Sequence, residues 1–146
     1  MCAHETGDRC SILIVEDEPD LQDLLRLTLE ADGYRVAAVG DGRRALTHLR
    51  STARTCAIVL DLVLPVMSGR RFRHAQLRDR SLAWLPVVVV SGSLDAAREA
   101  RDLQAQAFVR KPVDPGELRA ALNRVCHPPT PVPQRRSGID RERDAG

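Results

Sequence analysis

Aromatic side chains are nearly missing from this chain, which holds one Trp, one Tyr and two Phe in 146 residues. A core built without them must rest on Val, Leu, Ile and Ala. A hydrophobic content of 43% supplies enough of these for one ordinary domain. Lysine is scarcer still: Lys111 is the only one among 22 Lys and Arg residues. The arginines are scattered rather than massed on one helix, and the net charge is only +2. No face for direct nucleic-acid binding is therefore expected. Cys2, Cys10, Cys56 and Cys126 form neither a CxxC pair nor a Cys/His cluster, which argues against a zinc site or a redox motif. Cys56 opens an apolar run and Cys126 closes a helical one, so both read as small core hydrophobes. No run approaches membrane-spanning length, and the opening "MCAHETGDRC" lacks the apolar stretch of a signal peptide. A cytoplasmic protein with no membrane partner is expected.

What the chain does have is alternation. "SILIVED" is an apolar strand that ends in acid. "PDLQDLLRLTLEADG" then sets Leu21, Leu24, Leu25 and Leu29 on one helical stripe, with Leu27 beside it, and stops at Gly33. "YRVAAVG", "CAIVLDLVLP", "LPVVVVSGS" and "AFVR" read as four further strands. Between and after them lie helical patterns: Ala45, Leu46 and Leu49; Phe72, Ala75 and Leu77 behind Ser68 as N-cap; the weakly apolar "LDAAREARDLQ"; and Leu118, Leu122 and Val125 behind Pro115. Residues 127–146 are rich in proline and charge and read as a disordered tail or linker stub, as residues 1–10 read as an extension. Five strand–helix units, with strands this uniformly apolar, predict an α/β fold: a doubly wound parallel sheet with helices on both faces. The ligand site of such a sheet lies beyond the carboxyl ends of its strands.

That rule selects residues. The strand ends carry Glu16 and Asp17 after the first, Asp61 after the third, Ser91 after the fourth and Lys111 after the fifth. Three carboxylates so close repel one another unless a cation sits among them. So few oxygen ligands, with room for water, suit Mg²⁺ better than a caged Ca²⁺. Mg²⁺ characteristically takes a phosphate oxygen into its shell, and a hydroxyl and an ammonium opposite could hold the remaining phosphoryl oxygens. Asp17 could instead cap the helix that begins near Asp20. Asp61 closes a separate strand in the same way, however, which favours a shared site.

With these residues in order, the chain resembles a response-regulator receiver domain of bacterial two-component signalling, with the CheY-like, flavodoxin-like topology. The resemblance rests on "VEDEP", "DLVLPVMSG", "VVVVSGS" and "FVRKP", with weaker support from "GDGRRAL" and "LRAAL". It implies a receiver domain over residues 11–126. It implies that Asp61 is the phosphoacceptor, taking its phosphoryl group from a sensor histidine kinase or a phosphotransfer protein. Glu16, Asp17, Asp61 and the backbone carbonyl of Val63 would hold Mg²⁺. Ser91 and Lys111 would hold the phosphoryl group, Gly92 would leave room for it, and Ser91 with Phe108 would form the switch. Lysine at 111 then makes sense in an arginine-rich chain, because a compact ammonium suits a confined pocket better than a planar guanidinium fork. Pro112 ends the strand, and the resemblance implies a cis peptide before it. Phosphorylation would reshape the face of the fourth helix, fifth strand and fifth helix to regulate a protein target, with a homodimer as one outcome.

The sequence also departs from that family. The stretch from Ser91 to Lys111 is slightly short, and Gln104 stands where a glycine often precedes the fifth strand. Val63 cannot orient a water, which predicts a long-lived phosphoryl group. A phosphohydrolase of the haloacid-dehalogenase type would need a second Asp where Val63 stands, so no enzyme beyond self-phosphorylation and slow autodephosphorylation is expected. A degenerate receiver that only binds proteins is the alternative, and the complete acidic pair with Asp61, Ser91 and Lys111 counts against it. His4, His48, His74 and His127 form no phosphodonor box, and nothing after Val125 is long enough for a helix-turn-helix domain. A stand-alone receiver or a fragment of a longer chain is expected.

Overall fold

In the computed structural model, residues 11–51 and 54–126 are described. The expectations for residues 1–10 and 127–146 lie outside them. Strands β1 (Ser11–Val15), β2 (Arg35–Val39), β3 (Thr55–Asp61), β4 (Val87–Ser91) and β5 (Ala107–Arg110) alternate with helices α1 (Pro19–Ala31), α2 (Gly42–Ser51), α3 (Gly69–Arg78), α4 (Ala96–Asp102) and α5 (Pro115–Cys126). The strands form one parallel sheet in the order β2-β1-β3-β4-β5. Strand order reverses beside β1, which places a crevice between the ends of β1 and β3.

Side chains alternate across each strand, and the core divides accordingly. Ile12, Ile14, Val59, Val88 and Val90 pack beneath Leu25 and Leu29 of α1 and Leu118 and Leu122 of α5. Leu13, Val15, Ile58, Leu60 and Val89 face the other way, onto Leu46 and Leu49 of α2, Phe72 of α3 and Ala100 of α4. Both faces are covered, so central strands with no polar interruption are what the architecture requires.

The helix faces differ from the expected stripes in several places. Leu24 and Leu27 of α1 are exposed, at 40% and 65%, and Thr28 is buried with Leu25 and Leu29. Leu77 and Val125 are only half-buried, and Cys56 is partly exposed while Cys126 is buried. On α3 the buried set is Phe72 with Arg73 and Gln76, two polar residues the sequence pattern assigns to solvent. They are tolerated because they are hydrogen-bonded. Arg73 donates to the carbonyls of Leu103 (2.9 Å) and Gln104 (2.7 Å) and to Gln76 Oε1 (2.7 Å). The Gln76 amide donates in turn to the carbonyls of Leu82 and Leu85. α3 thus caps the end of α4, whose last turn closes with Gln104 at φ 56°. Phe108 is not a core residue on either side. β5 is an edge strand that buries Ala107 and Val109 and leaves Phe108 37% exposed beneath the Arg110 guanidinium, 5.7 Å from the ring centroid.

Candidate functional site

The crevice at the carboxyl ends of β1 and β3 is where the acidic side chains meet. β1 runs out of apolar residues at Val15, and the next residue, Glu16, is anchored by its own backbone: its N–H donates to Val39 O (3.0 Å). The Gln22 amide on α1 reaches back to donate to Glu16 O (2.8 Å), fixing the acidic turn from the helix side. Sequence reasoning missed that role for Gln22, and no local signal marks it. Asp17 does not cap α1: the N-cap is Glu18, which makes no side-chain cap bond, with Pro19 following. Asp17 instead lies exposed, and oxygens of Glu16, Asp17 and Asp61 all fall within 4.8 Å of one another.

β3 delivers Asp61 to the same place. Glycine at 69 is what lets α3 start directly behind that strand end, since a Cβ there would stand 2.3 Å from Asp61 O and 2.7 Å from Leu62 Cα. Ser68 caps the helix, accepting from the Arg71 N–H (3.2 Å) as expected. Asp61 Oδ1 accepts the Val63 N–H (3.2 Å) and Oδ2 accepts from Lys111 Nζ (3.1 Å). The Val63 side chain is exposed. Lys111 follows β5 with a cis bond to Pro112, as the resemblance implied.

The electrostatics follow from burial. Glu16 is 1% exposed, and this pushes its carboxyl up from 4.5 to about 7; the Asp61 charge adds to the rise, while the Glu18 N–H and Lys111 oppose it. Burial alone would lower the Lys111 ammonium. The hydrogen bond and charge of Asp61, with the charge of Glu16, outweigh it, and the net shift is upward. Glu16 Oε2 accepts the Glu18 N–H (3.1 Å), but Oε1 is buried without a hydrogen-bond donor, and Lys111 Nζ stands 3.6 Å away. A buried carboxylate oxygen without a donor, facing two more carboxylates, is the donor set a divalent cation satisfies.

Asp61 opens onto a cavity of about 450 Å³ shared with Ser91, Lys111, Arg70 and Glu99. Ser91 sits beside Asp61 on the neighbouring strand, yet its hydroxyl points away from it: it donates to Glu99 Oε1 (2.9 Å) and accepts the Ser93 N–H (3.1 Å). Glu99 Oε2 accepts from Arg70 (2.9 Å). Neither Arg70 nor Glu99 stood out in the sequence. A Cβ at Gly92 would touch only the Lys111 stem at 3.8 Å, so the protein itself leaves that corner open. The structure therefore brings Glu16, Asp17, Asp61, Ser91 and Lys111 to one edge, and leaves Phe108 outside on the β5 surface.

A family model described as the response regulator receiver domain matches residues 12–123. The chain belongs to the response regulator receiver domain family. As a receiver domain it is 34% identical over 116 residues to the DNA-binding response regulator MtrA of Mycolicibacterium smegmatis, covering 78% of this chain and 49% of MtrA. It is 33% identical over 121 residues to the sensor histidine kinase TmoS of Ectopseudomonas mendocina, covering 82% of this chain and 12% of TmoS. The chain thus spans about half or less of these relatives. Among solved structures, the chemotaxis protein CheY4 of Vibrio cholerae matches with a TM-score of 0.73 at 28% identity, covering 80% of this chain and 98% of CheY4. The receiver domain of a Pseudomonas aeruginosa sensor histidine kinase, solved with a magnesium ion coordinated in its active-site cleft, matches with a TM-score of 0.74 at 28% identity, covering 81% and 98%. The five-stranded receiver fold expected from the sequence is the observed one. Among the described residues, no helix is long and apolar enough to cross a membrane.

Proposed function

We propose that this receiver domain is a phosphorylation-dependent switch whose phosphoacceptor is Asp61, loaded by a sensor histidine kinase or a phosphotransfer protein in the cytoplasm. The observation that carries this reading is the placement of Lys111 Nζ 3.1 Å from Asp61 Oδ2, at the mouth of an open cavity, with Glu16 and Asp17 alongside. An Asp61 oxygen attacks the phosphorus of the donor phosphohistidine. The P–N bond breaks with its electron pair left on the imidazole, which takes up a proton, and an aspartyl phosphate forms. Lys111 holds its ammonium against the oxygens as negative charge accumulates, in a pocket where a fixed charge is worth more than in water. Glu16, Asp17 and Asp61, with the Val63 carbonyl, would hold Mg²⁺. When bound, that ion neutralises phosphoryl oxygens that three carboxylates would otherwise repel.

The added group brings close to two negative charges. Ser91 then turns its hydroxyl toward it, and the α4–β5–α5 face, where Phe108 already lies outside the core, changes shape for a downstream protein or a second copy of the chain. The chain is a switch rather than a turnover enzyme: the exposed Val63 side chain cannot direct a hydrolytic water, which supports a slow loss of phosphate. The test is incubation with Mg²⁺ and acetyl phosphate, read by intact mass. One added phosphoryl group in wild type and none in Asp61→Asn is expected. No gain in wild type would leave a degenerate, phosphorylation-independent binding module. Loss of the group within seconds would refute the slow hydrolysis.

A further inference from the structure

The switch described above leaves one thing out: what the Ser91 hydroxyl holds before it turns, the carboxylate of Glu99. A serine hydroxyl has one proton to donate. Here that proton is committed to Glu99 Oε1 at 2.9 Å, while the Ser93 N–H occupies a lone pair at 3.1 Å. Glu99 is itself held: Arg70, in the first turn of α3, grips Oε2 at 2.9 Å, and the Glu99 side chain is only 18% exposed. Both residues line the Asp61 cavity, so the pair belongs to the site without touching Asp61.

We infer that Glu99 is a positioning residue for phosphoryl transfer. It holds the Ser91 hydroxyl in a resting orientation directed away from Asp61, and Arg70 holds Glu99 there. This rests on Asp61 being the phosphoacceptor. A phosphoryl group on Asp61 and the Glu99 carboxylate compete for one proton, so the phosphorylated state forms only as the Ser91–Glu99 bond breaks. Glu99 Oε1 then stands without the Ser91 donor, facing a second anion across one cavity, and like charges repel. Because Glu99 is built into α4, whose buried residues are only Ala96 and Ala100, its departure carries the helix with it. The contact links the chemistry at Asp61 to the helix that must move. It also sets a cost on activation, since a hydrogen bond to a charged acceptor is among the stronger ones.

The inference is tested by titrating beryllofluoride, a phosphoryl mimic, with Mg²⁺ onto wild type, Glu99→Ala, Ser91→Ala and the double variant. Labelling of each by acetyl phosphate is followed in parallel. Removing Glu99 is expected to tighten the mimic about tenfold with Ser91 present and about twofold or less without it. Dependence on Ser91 is a signature that a merely structural role for Glu99 would not give. Glu99→Gln keeps the shape of the helix and an acceptor oxygen, guards against misfolding of the alanine variant, and is expected to give about a threefold tightening under the same dependence on Ser91. Equal effects in both backgrounds, or none in a wild type that labels normally, overturn the inference alone. A wild type that neither labels nor binds the mimic overturns the phosphoacceptor reading and the inference with it.

Discussion

Lys111 balances two carboxylates, at 3.1 Å from Asp61 and 3.6 Å from Glu16, and any divalent ion would share the same oxygens. Removing the ammonium by Lys111→Ala therefore has opposite effects on two measurements. Without a competing cation, Mg²⁺ is expected to bind about tenfold tighter by calorimetry, a modest figure for charges this close because the site opens to water. Labelling of Asp61 by acetyl phosphate is expected to fall to a small fraction of wild type, because nothing holds the incoming anion from that side. Lys111→Arg keeps the charge but spreads it over a fork with no matching bidentate surface, and is expected to label poorly as well. Glu16 supplies the pH dependence. Its folded carboxyl titrates near 7 against an ordinary 4.5, so the protonated form is favoured in the fold. Stability from this group is fully present below about 4.5 and is lost as pH rises through about 7, where a buried charge must be carried with one oxygen, Oε1, lacking a donor. Mg²⁺ reverses that trend, since it needs the proton gone. The thermal shift produced by Mg²⁺ is expected to be larger at pH 8 than at pH 6, and an equal shift at both would mean that Glu16 is not among its ligands.

At the scale of elements, two arginines of α3 tie it to α4 and the turn that follows, beside the apolar packing around Phe72 and Ala100. Arg73, 1% exposed, donates to two carbonyls at the end of α4 and to Gln76, with no carboxylate among these partners. Burial lowers its pKa, so the fold carries a desolvated guanidinium for the sake of those bonds. Arg73→Met keeps much of the volume but leaves both carbonyls and the Gln76 oxygen unpaired. A loss of about 2–4 kcal/mol in urea unfolding is expected, and a change below about 0.5 kcal/mol would show that water replaces the bonds. This is also where sequence reading reached its limit. The strands were legible because both faces of a parallel sheet must be apolar, so "SILIV" and "VVVV" have no other economical use. The strand-end rule then placed Glu16, Asp17, Asp61, Ser91 and Lys111 together without coordinates. Arg73 and Gln76 were illegible because a polar pair on a helix reads as solvent-facing unless its distant carbonyl partners are known. Leu24 and Leu27 misled for the converse reason: leucine is a good helix former whether or not anything covers it. The Ser91 rotamer depends on Glu99, eight residues on, whose reach is fixed only once α4 is placed.

Over the whole molecule, the elements are held unequally. β1 and β3 lie at the centre with Ile12–Val15 and Ala57–Leu60 fully or almost fully buried, and α1 and α5 close one face with leucines. α4 has seven residues and buries only two alanines, with Leu103 buried just beyond it, and Arg70, Arg73 and the Ser91 hydroxyl add polar ties to it and to its C-terminal turn. Elements with few buried apolar contacts open at low free-energy cost, and motion on activation is drawn from them. Hydrogen exchange can separate such motion from simple tightening. A ligand that binds only the folded state slows every amide that exchanges through global unfolding by one common factor. With Mg²⁺ and beryllofluoride, amides of β1 and β3 are expected to slow by that shared factor. Amides of Ala96–Asp102 lose the Ser91–Glu99 tie at the same moment, so they are expected to fall behind it by about tenfold, or to exchange faster outright. In Glu99→Ala the tie is already absent, and the lag of α4 is expected to shrink toward nothing. An α4 that follows β1 and β3 in wild type would mean that the phosphoryl mimic tightens the domain as one body, and that the signal leaves by some surface other than the α4–β5–α5 face.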